Sequence, residues 1–230
     1  MFGSDLKMGW KVKILRFQAV IFDMDGTLID SLEDMLDSVN AVFAREGYPL
    51  RNLEQIRQAV GNGAALLISR NLPPQTSEEE AERILQLYKQ EYSRRLTVKT
   101  RVYDGILPML QTLKNSGVSL GVLSNKPHDA AVTICQELFP NLFDLVWGDR
   151  DGIPKKPDPT ALLDAIRQLG ASPASTAYVG DSQTDIQTAQ NAGVYGVGVS
   201  WGFRPRQVLE AQGADVICDD AQQLAMALSR

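Results

Sequence analysis

Phe17-Gln18-Ala19-Val20-Ile21-Phe22-Asp23-Met24-Asp25-Gly26-Thr27 is the stretch on which the reading of the fold turns. Its first half is short, apolar and β-branched, which suits a strand buried on both faces of a parallel sheet. The second half breaks at once into two aspartates and a glycine, so the strand opens directly into a polar loop. In open parallel sheets, ligands bind outside the carboxyl ends of the strands. Asp23 and Asp25 would stand there.

The same sequence of strand and then polar loop recurs downstream. A strand over residues 119–123 ends in Ser124-Asn125, and one over 176–179 ends in Gly180-Asp181, with Asp185 close behind. Helical spacing over residues 106–116, 129–138, 160–169 and 184–192 alternates with these strands, and Gly117, Gly170 and Gly193 supply stops. Residues 145–147, 194–199 and 215–217 read as further short strands. Strands alternating with helices mean a doubly wound parallel sheet.

Between the first two strands the pattern changes. Leu32, Met35, Leu36, Val39, Val42 and Phe43 fall at helical spacing, and Gly47 is a suitable stop. Helices are expected over 53–60 and 64–71, separated by Gly61-Asn62-Gly63. Thr76 or Ser77 can cap a fourth, whose first turns carry Glu78, Glu79, Glu80 and Glu82, where negative charge suits the helix dipole. No convincing strand occurs in this block. The expected fold is therefore α/β, a Rossmann-like core formed by residues 1–29 and 102–230, with an all-helical insertion over 30–101.

Composition narrows the function. The chain has 230 residues, 44% of them hydrophobic and 22% charged, which is ordinary globular usage. A net charge of −5 lacks the basic face that nucleic-acid binding requires. A single histidine, and two cysteines (Cys135 and Cys218) outside any CxxC pattern, leave no histidine- or thiolate-based metal site and suit a reducing compartment. No stretch approaches the roughly 18 apolar residues of a membrane span. Residues 1–16 lack the apolar core of a secretory signal. A cytoplasmic monomer or homodimer is expected, with residues 1–7 a vector-derived or alternative start.

The strand ends collect Asp23, Asp25, Ser124, Asn125, Asp181 and Asp185. Lys156 lies in the loop Lys155-Lys156-Pro157-Asp158-Pro159. Carboxylates without histidine favour a hard cation with oxygen ligands, hence Mg2+. The same set suits phosphoryl transfer. Two like charges about 4 Å apart repel by roughly 4 kcal/mol at an effective dielectric of 20, so a carboxylate attacking a phosphate needs a divalent ion and a lysine to offset that barrier. Each fragment has a bland reading: Asp-x-Asp-Gly as a turn, Gly180-Asp181-Ser182 as a helix cap, Lys156 as a solvated side chain. Their joint placement on one sheet edge argues against all three.

Taken together, Asp23-Met24-Asp25-Gly26-Thr27, Ser124-Asn125, Lys156-Pro157 and Gly180-Asp181-Ser182-Gln183-Thr184-Asp185 resemble the four ordered motifs of the haloacid dehalogenase superfamily of phosphatases. The helical insertion resembles that family's C1-type cap. The resemblance implies Asp23 as nucleophile, forming an aspartyl-phosphate, and Asp25 as acid and then base. It implies Thr27, Ser124, Asn125 and Lys156 at the phosphoryl oxygens. It implies Asp23, the Asp25 carbonyl oxygen, Asp181 and Asp185 around Mg2+. Asp25 itself argues for a phosphatase over a dehalogenase, because only an alkoxide leaving group needs its proton. Gly61-Asn62-Gly63 with Arg70, and Lys126 beside the second motif, resemble the phosphoglycolate phosphatases, which implies a substrate-binding role for these five residues toward a small phosphorylated metabolite. A phosphosugar mutase, a pyrophosphatase or another sugar-phosphate phosphatase of the superfamily stays open. A non-catalytic protein on the same fold would be expected to have lost one of Asp23, Asp25, Lys156 or Asp181, and none is lost. His128 reads as an exposed helix start, Trp147 and Trp201 as packing residues.

Overall fold

The computed structural model describes residues 16–229; the expectation for residues 1–7 and for the missing signal lies outside them. In chain order the strands are β1 (Ala19–Phe22), β2 (Ile29–Asp30), β3 (Arg101–Val102), β4 (Ser119–Pro127), β5 (Leu145–Asp149), β6 (Thr176–Gly180), β7 (Tyr195–Val199) and β8 (Val216–Cys218). The helices are α1 (Leu32–Glu46), α2 (Leu53–Ala59), α3 (Ala64–Asn71), α4 (Glu78–Tyr92), α5 (Ile106–Asn115), α6 (His128–Leu138), α7 (Thr160–Gln168), α8 (Gln183–Ala192), α9 (Arg206–Gln212) and α10 (Ala221–Leu228).

Six strands form one sheet in the order β5-β4-β1-β6-β7-β8, and every neighbouring pair is parallel. Side chains alternate across a strand, and β1 uses both directions. Val20 and Phe22 pack into a core that also takes Met109, Leu110 and Leu113 of α5, Ile134 of α6 and Leu224 of α10. Ile21 enters a second core with Leu162 and Ile166 of α7 and Ala189 of α8. Both faces are therefore covered, and β1 carries no exposed side chain. Chain direction across the sheet reverses at β1, with β4 on one side and β6 on the other. That makes the carboxyl end of β1 the topological switch point.

Helices α1 to α4 all lie between β2 and β3, and pack on one another through Leu32, Met35, Val39, Ile56, Ile68, Ile84 and Tyr88. Gly47 ends α1 in the left-handed region, at φ 77°, and Ser77, not Thr76, caps α4 by accepting the Glu80 N–H. β2 and β3 pair antiparallel where the chain leaves for this helical block and returns from it. The expected boundaries at 29/30 and 101/102 each fall within one of these strands. The return is anchored by buried Asp34, whose carboxylate accepts the N–H groups of Lys99 and Thr100 and the Thr100 hydroxyl.

Four elements were not expected: β2, β3, α9 and α10. β4 also runs on to Pro127, through a register shift after Leu123, so Ser124, Asn125 and Lys126 belong to the strand rather than a loop. His128 is half-buried, not exposed, because its Nδ1 accepts the Gly148 N–H at 3.3 Å. Cys135 and Cys218 are both buried and unpaired with each other. Among the described residues, no helix is long and apolar enough to cross a membrane.

Candidate active site

The carboxyl ends of β4, β1 and β6 lie side by side and deliver Ser124, Asp23 and Asp181. The Asp23 N–H continues the ladder onto Val179 O at 2.8 Å, which fixes its backbone. The chain then turns tightly through Gly26, whose N–H donates to Ile29 O. Gly26 sits at φ 85°, and a Cβ there would collide with the Asp181 carboxylate. Glycine thus serves both the turn and the close approach of Asp181.

Lys156 is the electrostatic centre of the floor. Its ammonium donates to Asp23 Oδ1 at 2.8 Å, Asp185 Oδ1 at 2.7 Å and the Tyr178 hydroxyl at 2.9 Å. Asn125 holds the Lys156 backbone from both sides, accepting its N–H through Oδ1 and donating Nδ2 to its carbonyl. The same Nδ2 reaches Gly61 O in the helical block. The Asn125 side chain is thus a clamp, and what it can offer a phosphoryl group is its backbone.

Asp23, Asp181 and Asp185 bring carboxylate oxygens within 4.8 Å of one another, and all three residues are buried. Three carboxylates against one ammonium leave two negative charges uncompensated. Asp185 has both oxygens occupied, by Lys156 and Tyr178 on one and by the Ser182 N–H and hydroxyl on the other. Asp181 accepts the Phe203 N–H at 2.6 Å on Oδ2. Among the described residues, Asp181 Oδ1 and Asp23 Oδ2 take no hydrogen bond, which leaves the first open to a cation and the second open to a substrate. Buried hard oxygens with a net charge deficit fit a divalent cation.

The missing positive charge registers in the acidities. Burial pushes Asp23 up to about 7; Lys156 pulls it back, and the charges of Asp185 and Asp25 push the same way as burial. Asp181 is held well above the ordinary carboxylate range by burial and by Asp185 and Asp23, against the Phe203 N–H. Burial works to lower Lys156, but Asp185 and Asp23 outweigh it, so its ammonium is held well above the usual lysine value.

Asp25 has a different environment two residues on. Its side chain turns from the floor to accept the Ser31 hydroxyl at 2.5 Å, and its other oxygen is 3.1 Å from Lys126 Nζ. Asp23, Asp25, Ser124, Asn125, Lys126, Gly61 and Gly63 line one small cavity, roofed by Val60, Ala64, Leu67, Tyr88 and Tyr92 of the helical block. Lys156, Asp181 and Asp185 lie directly behind Asp23.

Three more expected residues reach neither that cavity nor the cluster behind it. Thr27 is fully buried beneath the loop: its hydroxyl has no partner, and its carbonyl accepts Trp201 Nε1. Arg70 donates to Ala59 O and Asn62 Oδ1 and lines a separate groove with Arg51, Gln55 and Gln58. It points along the helical block because the α2 C-terminus offers it free carbonyls. Asn62 donates outward to Thr184 Oγ1 at 3.3 Å. Sequence reasoning also missed the places of Tyr178, Tyr92 and Arg204. Arg204 grips Arg57 O and Val60 O, each at 2.6 Å, and so ties the core to the end of α2. The helix-cap reading of Gly180-Asp181-Ser182 holds as well: Ser182 caps α8 in a capping box with Asp185.

Residues 20–199 match the haloacid dehalogenase-like hydrolase family. The chain belongs to that family. Among relatives of this haloacid dehalogenase-like hydrolase, a phosphoglycolate phosphatase of Pseudomonas putida is 36% identical over 214 residues, covering 89% of this chain and 77% of the relative. An N-acetylmuramic acid 6-phosphate phosphatase of Pseudomonas aeruginosa is 33% identical over 221 residues, covering 95% of this chain and 98% of the relative. A crystal structure from Lactobacillus delbrueckii subsp. bulgaricus, provisionally named a phosphoglycolate phosphatase, superposes with a TM-score of 0.87 at 33% identity, covering 93% of this chain and 98% of that one.

Proposed function

We propose that this hydrolase cleaves a small acidic phosphomonoester, of which 2-phosphoglycolate is the type, by way of a phosphoryl group carried on Asp23. The observation that carries the reading is the division of labour between two carboxylates on one loop. Asp23 is buried against Lys156 within the metal-competent cluster; Asp25 faces the cavity outside that cluster, held instead by Ser31 and Lys126. Asp23 Oδ2, free of hydrogen bonds, would attack phosphorus, with Oδ1 anchored on Lys156. Asp25 stands where a leaving oxygen would need a proton, and where a water would later need a base. Ser124 borders the place of the phosphoryl oxygens. Mg2+, held by Asp23, the Asp25 carbonyl and Asp181, would supply the positive charge that Lys156 alone does not.

The apolar roof of Val60, Leu67 and Tyr88 favours a short leaving group over a sugar, which supports a phosphatase above a phosphosugar mutase. A larger acidic sugar is the second reading. The relative matched nearly end to end is named for one, and a wide groove between the helical block and the β5 loop shares Ala64 and Pro127 with the cavity.

The test is turnover of 2-phosphoglycolate, N-acetylmuramic acid 6-phosphate, pyrophosphate and a hexose 1-phosphate by the wild type and by Asp23→Asn. The wild type is expected to prefer 2-phosphoglycolate. Asp23→Asn is expected to lose at least a thousandfold in kcat while its thermal melt stays cooperative, since an amide cannot accept the phosphoryl group. Retention of a tenth of the rate would rule out covalent catalysis by Asp23.

A further inference from the structure

Among the described residues, Lys126 is the only cation lining the catalytic cavity. It is buried, with a side chain 2% exposed, and its ammonium bonds the Tyr92 hydroxyl at 2.6 Å and stands 3.1 Å from Asp25 Oδ2. Phosphoryl charge does not account for it. That end of the site already has Lys156, whose ammonium is fully engaged with Asp23, Asp185 and Tyr178. A buried ammonium is retained only against strong partners. Here one of the two partners, Asp25, must turn to the leaving oxygen during the reaction.

We infer that Lys126 selects the leaving group, by binding a carboxylate carried on the carbon that bears the ester oxygen. This rests on the phosphatase reading of the same cavity. A general acid works at about 2.6–3.2 Å from the oxygen it protonates, and Lys126 Nζ lies 3.1 Å from that same Asp25 carboxylate. A carboxylate one carbon beyond the leaving oxygen therefore comes within reach of Lys126 once Asp25 engages that oxygen. When it binds, the substrate carboxylate replaces Asp25 as the partner of Lys126, and Asp25 is released to the leaving oxygen. A leaving group without the carboxylate leaves Lys126 tied to Asp25.

The surroundings agree with this. Met35, Val60, Ala64 and Leu67 line part of the remaining wall with apolar groups, which leaves a short leaving group little but Lys126 to bind a charge. Gly63 and Ala64, at the N-terminal end of α3, border the same space and favour negative charge there.

The experiment compares kcat/KM for 2-phosphoglycolate and for ethyl phosphate, which has a methyl in place of the carboxylate, in the wild type, Lys126→Met and Lys126→Gln. Glutamine keeps a hydrogen bond to Tyr92 without the charge, so it covers the case in which the methionine variant fails to fold. The wild type is expected to prefer phosphoglycolate, and both variants to lower that preference at least tenfold, about 1.4 kcal/mol. Equal falls on both esters, with the preference intact, would overturn the inference and make Lys126 a support for Asp25. A wild type that hydrolyses both esters equally well would also overturn it while leaving the phosphatase reading standing. Failure to hydrolyse any phosphomonoester would instead remove the reading on which it rests.

Discussion

At the scale of single residues, the site depends on side chains that share a motif but not an environment. Asp23 and Asp25 are two apart, yet one is held by Lys156 and the other by Ser31 and Lys126. Arg70 marks the limit of reading roles from position. A cation one to two turns after a glycine loop suggests an anion partner, but its guanidinium lies on Ala59 O and Asn62 Oδ1. In this arrangement it holds the loop that borders the cavity. Arg70→Ala is expected to lower kcat/KM for 2-phosphoglycolate and p-nitrophenyl phosphate in parallel, by about tenfold or less, below about 1.4 kcal/mol, because the bonds it loses hold the loop and not the transition state. Steady-state kinetics on the two esters checks this. A loss confined to phosphoglycolate would place Arg70 on the carboxylate after all.

At the scale of elements, the strand ends and the helical block were legible because each has a long or strongly patterned signal. The apolar run before Asp23 and the helical spacing from Leu32 to Phe43 are of this kind. β2 and β3 were not legible, since each is a two-residue strand and periodicity has nothing to work on. α9 buries only Leu209 along its length, which gives a weak pattern. α10 could have been found: Asp220 caps it by accepting the Gln223 N–H, and Leu224 and Leu228 follow at helical spacing. Tyr92 and Tyr178 were hidden for another reason. Their hydroxyls reach Lys126 and Lys156 from elements that look like plain core, and only tertiary packing brings them there.

The segment after β7 joins two of these elements in function. Phe203 N–H holds Asp181, a Cβ on Gly202 would strike the Asp181 side chain, and Arg204 bonds the carbonyls at the end of α2. One short loop thus fixes a candidate metal ligand and the roof of the cavity. Arg204→Ala removes two charge-assisted bonds worth about 1.5–3 kcal/mol each at most. It is expected to lower kcat/KM at least tenfold on every ester alike, largely through KM. An unchanged KM would separate this loop from the placement of the roof.

At the scale of the whole molecule, a buried carboxylate cluster links stability to pH. Asp23 rises from 3.8 to about 7 in the folded protein, chiefly through burial. Between those values the native state binds the extra proton, so the stability this group gives is full below about pH 4. It is lost as pH rises through about 7. Asp181 shifts in the same direction, and Lys156 stays charged throughout. With chelator present, the wild type is expected to lose more Tm between pH 4 and pH 8 than Asp23→Asn does. The difference should be at least about 2 °C, roughly 1 kcal/mol for a chain of this size. Added Mg2+ should restore the wild type most at the upper end of the range. Parallel curves for the two proteins would mean that Asp23 carries no such proton.

The central claim is that Asp23 takes the phosphoryl group, and trapping the phosphorylated enzyme tests it most directly. Enzyme mixed with excess substrate is quenched in acid within the first turnovers, then reduced with borohydride, which converts an acyl phosphate at an aspartate into homoserine. Peptide mass spectrometry then locates the change. The account predicts homoserine at position 23 and nowhere else, and none in a reaction without substrate. An unmodified Asp23, with turnover proceeding or with the phosphoryl group found on another residue, would contradict it.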